Sequence, residues 1–198
     1  MSHYFHNTLP RYNFAHLKKQ SGITLEELLI VVGIVATLSS LVPSMLYAMT
    51  RSNHVTTTVN RLSHDLMLTR SEAVRANLQF VICKSNNGTT CIRNKAGWEQ
   101  GWIIYQDTNH NRKREIDEKI ISYQPKFDND VEIDYRAFGS KHYVTYRPTG
   151  WTKTNGTFHV CGDAQGKFAK AIVLFKTGRA RLSDKNGSKK PDCSRYTG

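Results

Sequence analysis

Apolar positions along the chain change their spacing twice. Leu28–Thr50 is a run of 23 residues without a charge. As a helix it measures roughly 35 Å, enough to cross a hydrocarbon core of about 30 Å. Pro43 lies inside the run and is expected to kink the helix, because it lacks an N–H and crowds the preceding turn; membrane helices tolerate such breaks. Beyond residue 50 the apolar positions thin to Val55, Val59, Leu62, Leu66, Ala73 and Ala76. Their three-, four- and seven-residue intervals define one face of a continuing amphipathic helix. Arg51, Asn60, Arg61, His64, Arg70 and Arg75 fall largely elsewhere. From Leu78 the pattern becomes short β-type runs separated by turn residues. Strands are predicted at Gln79–Lys84, Gly101–Gln106, Lys119–Gln124, Val131–Tyr135, Tyr143–Arg147, Thr157–Cys161, Lys170–Lys176 and Ala180–Leu182. No helix of useful length is expected among them. The expected fold class is α+β: a long N-terminal helix whose second half packs on a mostly antiparallel β head of two sheets.

The start of the apolar run carries a distinct signal. Arg11, Lys18 and Lys19 precede it with no acid among them, which favours a cytoplasmic leader. Then come Gly22-Ile23-Thr24-Leu25 and the pair Glu26-Glu27. An ordinary cleaved signal places its apolar segment before the cut. Here it follows Gly22, so cleavage at Gly22–Ile23 leaves a protein that keeps a hydrophobic N-terminus. A carboxylate at the edge of a membrane span is costly unless paired or interfacial. Glu27 is therefore either a functional acid or one of two interfacial acids on a plain signal anchor.

This junction resembles the type IV prepilin signal. The resemblance implies that a prepilin peptidase cuts after Gly22, that the new N-terminus at Ile23 is methylated, and that Glu27 docks the subunit into a filament of other pilin subunits. Two positions depart from the usual pattern: Ile23 stands where Phe is common, and Glu26 where an apolar residue is common. The implied organisation is a prepilin leader (1–22), a transmembrane and filament-core half-helix (23–50), an amphipathic half-helix (51–77) and a β-rich head with a basic C-terminal region (78–198). The implied location is the bacterial inner membrane with a periplasmic head, then the assembled pilus.

Composition adds two constraints. The 198 residues suit one modest domain plus its anchor. The four cysteines, Cys83, Cys91, Cys161 and Cys193, point to two disulfides in an oxidising compartment. Three pairings are possible; proximity in sequence favours Cys83–Cys91 and Cys161–Cys193. No Cys-x-x-Cys pair is present, which argues against a zinc site. The formal net charge is +12. Removing the leader, with its three bases, leaves +9. Residues 167–198 hold nine bases and two acids, a net +7. Charge so concentrated reads as a footprint for a polyanion; the alternative is a solvated tail kept soluble by lysines.

Several head stretches resemble one branch of the pilin superfamily, the FimT/GspH group. They are Gly97-Trp98, Gly101-Trp102-Ile103-Ile104, Asp107-x-Asn109-x-Asn111, Asp117-Glu118, Tyr146-Arg147-Pro148-Thr149-Gly150, Gly156-Thr157-Phe158-His159-Val160-Cys161 and Gly178-Arg179-Ala180-Arg181. The Gly-Arg-x-Arg sequence is similar to the DNA-binding motif of FimT proteins that act in natural transformation. In an extended segment Arg179 and Arg181 face one side, roughly 6–7 Å apart. That matches neighbouring phosphates on one strand, and guanidinium forks suit phosphate. Gly178 permits a tight turn that presents the pair, and Lys176 is expected to extend the row. Lys185, Lys189, Lys190 and Arg195 are expected near it through Cys161–Cys193. No base-reading element is present, so binding to double-stranded DNA is expected to be sequence-independent and salt-dependent. Arg112, Lys113 and Arg114 form a possible secondary DNA contact if their loop lies near the tail.

Asp107, Asn109, Asn111 and Glu118 have EF-hand spacing, but Arg112 replaces the required Gly and two more cations follow. A polar hairpin loop is expected instead of a calcium site. No catalytic constellation, cofactor motif or metal site is found, so the chain is not read as an enzyme. The alternative function is a structural minor pilin or a minor pseudopilin of type II secretion, without DNA binding.

Overall fold

The computed structural model describes residues 22–127, 130–183, 191–194 and 196, the side chains of residues 40–44 excepted. The chain divides into two compact units, Met1–Pro43 and Ser44–Gly198, and the boundary falls at Pro43. Helix α1 (Leu25–Ala76) is continuous in backbone through that residue. It opens on Thr24, whose hydroxyl accepts the Glu27 N–H at 3.2 Å and whose carbonyl accepts the Leu28 N–H at 3.1 Å. Thr24-x-x-Glu27 has capping-box spacing, and Glu26 and Glu27 complement the positive end of the helix dipole. The helix closes at Asn77, at φ 54°. There Leu78 N–H reaches Ala73 O at 3.2 Å and Asn77 N–H reaches Val74 O at 3.4 Å, the paired bonds of a Schellman cap.

In the first unit the large apolar side chains from Leu28 to Leu38 are 50–65% exposed. Among the described residues no helix is long and apolar enough to cross a membrane. Residues 40–44, inside the uncharged run, contribute no described side chain.

In the second unit all eight predicted strands form, with no end moved by more than two residues. They are β1 (Phe80–Lys84), β2 (Gly101–Gln106), β3 (Ile120–Pro125), β4 (Glu132–Ala137), β5 (Tyr143–Tyr146), β6 (Gly156–Cys161), β7 (Ala169–Leu174) and β8 (Ala180–Leu182). A 3-10 turn, Trp98–Gln100, precedes β2. Two antiparallel sheets result, in the orders β3-β2-β1-β5 and β4-β6-β7-β8. Val55, Val59, Leu62, Leu66 and Ala73 of α1 join residues from both sheets in one core, as their spacing predicts. That core also holds Asp65, fully buried. Its carboxylate accepts the Trp102 indole N–H at 2.8 Å and pairs with Arg61 at 3.3 Å. The other face of the first sheet carries a smaller cluster of Val81, Cys83, Ile103 and Tyr105, which is why β2 is buried on both faces.

Candidate functional site

The β7–β8 hairpin carries the Gly-Arg-x-Arg sequence. β7 stops at Leu174, two residues short of the predicted Lys176. Gly178 N–H donates to Phe175 O at 2.8 Å, and Phe175 N–H to Arg179 O at 3.0 Å. Gly178 has φ +77°, and a Cβ there would lie 1.9 Å from Gly150 O. Gly150 itself has φ +75°, and its carbonyl accepts Arg70 Nε at 3.2 Å. Thr152 N–H donates to Lys176 O at 2.8 Å, and Thr152 Oγ1 to Phe175 O at 3.1 Å. The turn is thus clamped to the segment 150–152 on one side and, through Gly150, to α1. Glycine supplies both the left-handed backbone and the closeness.

Register decides which side chains share a face. Ala180 pairs with Leu174 and Arg181 with Val173. Directly opposed residues point to the same side of a sheet. Leu174 is buried, so Arg181 and Val173 point away from the core. Phe175 opposes Arg179, in the same row. Arg179 and Arg181 are both exposed, and neither has an ion-pair partner among the described residues. The expected pairing of these two on one side therefore matches the register, but the expected place of Lys176 does not. The turn takes Lys176 out of the strand, so Phe175, 41% exposed, faces Arg179 instead. Lys176 remains exposed at the turn.

A groove of about 690 Å³ runs between the hairpin and the end of α1, lined by Met67, Arg70, Ser71, Val74, Arg75, Gly178, Arg179 and Ala180. Three guanidinium-bearing residues therefore border one cavity, though Arg75 is paired with Glu72 at 2.5 Å. Sequence periodicity placed Arg70 and Arg75 off the core face. It did not join them to Arg179, because that depends on where the hairpin docks.

Both favoured disulfides form, Cys83–Cys91 and Cys161–Cys193. The second holds the C-terminal segment on β6, aided by Asp192 N–H to His159 Nδ1 at 3.0 Å and an ion pair between Arg136 and Asp192. The Arg136 guanidinium holds the Asp192 carboxyl well below the usual carboxylate range. Lys185, Lys189, Lys190 and Arg195, expected near Arg179, lie outside the described residues. Ser183 N–H donates to Ala171 O at 2.7 Å, and Cys193 is tied to Cys161.

The loop 107–118 uses its own acids. Asp107 accepts the Arg112 N–H at 3.2 Å and Gln79 Nε2 at 2.6 Å. Glu118 accepts the N–H groups of Thr108 at 2.9 Å and Glu115 at 3.1 Å. Arg114 turns back to Glu118 O at 3.3 Å, while Lys113 is exposed. Arg112 O accepts Arg93 at 3.0 Å. Among the described residues no hydrogen bond or ion pair joins this loop to the C-terminal segment; Arg112 borders a small cavity with Gly139, Tyr143 and Thr152. Among the described residues no group of three His, Cys, Asp or Glu could hold a metal ion. Gly22, Ile23 and Glu27 are exposed at the start of the first unit.

Similar structures share this architecture. The type IV minor pilin FimU of Pseudomonas aeruginosa superposes with a TM-score of 0.56 at 19% identity, covering 73% of this chain and 98% of that one. A second crystal form of it gives 0.51 at 17%, with the same coverage. The minor pseudopilin EpsH of the Vibrio cholerae type 2 secretion system gives 0.47 at 12%, over 67% of this chain and 98% of that one. No curated protein matches the chain. The family model described as type II transport protein GspH matches residues 58–178, from the amphipathic half of α1 to the hairpin glycine. With that match over more than half its length and a minor-pilin fold, the chain belongs to the GspH family.

Proposed function

We propose that this protein is a minor pilin of a type IV pilus that binds double-stranded DNA without sequence preference during natural transformation. The observation that carries the reading is the hairpin: Arg179 and Arg181 are exposed on one face of a clamped turn, within the basic segment 167–198. Two guanidinium groups without an ion pair among the described residues, held at strand spacing, form a rigid phosphate clamp. The remaining parts follow the sequence. The leader is cut after Gly22 by a prepilin peptidase, Ile23 is methylated, and the apolar half of α1 anchors the subunit in the inner membrane before it enters the filament. An apolar surface exposed all round a helix belongs in membrane or among other subunits, and Leu28–Leu38 is such a surface. Glu27 docks against a neighbouring subunit while its N–H stays capped by Thr24.

The test is a gel shift of the full-length protein, in non-ionic detergent, with duplex DNA over a salt series. Wild-type protein is expected to bind at low salt. The Arg179→Gln/Arg181→Gln variant is expected to bind more weakly, with a log–log salt slope reduced by about 2, or roughly 0.9 per lost phosphate contact. Undiminished binding by the variant would remove the site; no binding at low salt would remove the function. One observation favours a second reading, a structural pilin or type II secretion pseudopilin that touches only other subunits. The family match ends at Gly178, so membership is carried by the scaffold without either arginine. Loss of pili or of secretion in a deletion strain, with no DNA bound by the purified protein, is the outcome that reading requires.

A further inference from the structure

A second cationic site lies away from the hairpin. Lys84 ends β1 and is only 3% exposed. Its ammonium donates to Asn94 O at 3.0 Å and to Ala96 O, and it has no ion-pair partner among the described residues. An ammonium has three protons, so one is left for another acceptor. Around it opens a cavity of about 500 Å³, which Arg93, Lys95, Lys141 and His142 also line. Asp134 is the one acid among the lining residues, and it is engaged by Arg136 at 2.7 Å. Glu99, close by, accepts the Ile133 N–H at 3.1 Å. The imidazole Nδ1 of His142 is buried without a hydrogen-bond partner.

A lysine that merely pegs the 94–96 loop needs no company. Here four cations and a histidine converge on one opening, and only two carboxylates, Glu99 and Asp134, act on Lys84 from nearby. The cations outnumber these acids, and incompletely balanced charge in a partly buried site is costly; an entering anion reduces that cost. The field can be read at His142, whose pKa is held below its usual value by burial and then by Lys84, Arg93 and Lys141. Burial likewise lowers that of Lys84, against the opposing pull of Glu99 and Asp134.

We propose that the cavity bordered by Lys84, Arg93, Lys95, Lys141 and His142 is an anion-binding site for a tetrahedral oxyanion of the phosphate class, either free phosphate or a phosphodiester of nucleic acid. The inference is independent of the hairpin reading. A bound anion stabilises the imidazolium, so it raises the His142 midpoint. The experiment follows the His142 ring by NMR in the full-length protein in maltoside micelles, titrating pH with sodium phosphate or with sodium chloride at equal ionic strength. Phosphate is expected to raise the midpoint by about 0.5 unit or more, roughly a threefold change in proton affinity, with little effect of chloride. The Arg93→Gln/Lys141→Gln variant, with its buried-tryptophan fluorescence unchanged as proof of fold, is expected to lose the phosphate effect. No displacement, an equal one with chloride, or one retained in the variant overturns the site. A short DNA duplex added to the Arg179→Gln/Arg181→Gln protein separates the sources. Displacement of His142 there assigns the phosphodiester; displacement by inorganic phosphate alone assigns the free ion.

Discussion

Replacing Gly178 by Ala tests the clamp that presents the arginines. Gly178 sits at φ +77°, and a Cβ would come within 1.9 Å of Gly150 O. The left-handed backbone alone costs an L-residue about 1–2 kcal/mol. The approach to Gly150 cannot be relieved by a side-chain rotation, because the obstructing atom is backbone. The turn must instead move off the 150–152 segment, weakening Thr152 N–H to Lys176 O and Thr152 Oγ1 to Phe175 O, each worth about 0.5–1.5 kcal/mol. The expected loss is about 2–4 kcal/mol. In a domain of this size each kcal/mol lowers Tm by about 2–4 °C, so a drop of roughly 5–15 °C is expected. Gly166 supplies the control. It has φ +71°, but its nearest neighbours to a Cβ are Cys193 Sγ and Pro191 O at 3.9 Å, so Gly166→Ala carries only the backbone cost. Thermal unfolding followed by tryptophan fluorescence of both variants separates the two contributions. Equal losses would refute the reasoning that close approach to Gly150 locks the hairpin.

Two further outcomes follow from the core. Asp65→Ala leaves the Trp102 indole N–H buried without its acceptor, which is expected to cost about 1–3 kcal/mol; urea midpoints should fall, and less for Asp65→Asn, which keeps an acceptor. Burial raises the Tyr135 phenol from 10.0 to about 12 and pushes Tyr105 and Tyr146 up further. These phenols stay neutral in the folded state, so their contribution is full below about pH 10 and is lost as pH rises through the folded-state values. Urea midpoints should hold to pH 10 and decline from there toward 12; a flat profile over that range contradicts the assignment.

The helix face and the strands were legible because each has a local period. Val55, Val59, Leu62, Leu66 and Ala73 sit where the 3.6-residue repeat puts them. Strand ends were less legible where turn chemistry begins on non-turn residues. Phe175 and Lys176 read as strand, yet Gly178 in the left-handed region starts the reversal two positions earlier. The buried Asp65 was invisible because its partner, Trp102, comes from β2, 37 residues away. The Arg70–Gly150–Gly178 clamp and the Lys84–His142 cavity are likewise assembled from distant segments. No spacing in one stretch of chain encodes a docking between two others.

The side chains of Arg179 and Arg181 make no ion pair among the described residues. They are exposed and stand just past a glycine that fixes the turn without them. Substitutions at such positions usually change stability by no more than about 0.5 kcal/mol. In evolutionary terms the pair is nearly free to appear or vanish. A lineage could acquire a charged hairpin, or discard it, by single nucleotide steps while the scaffold whose family match ends at Gly178 keeps folding.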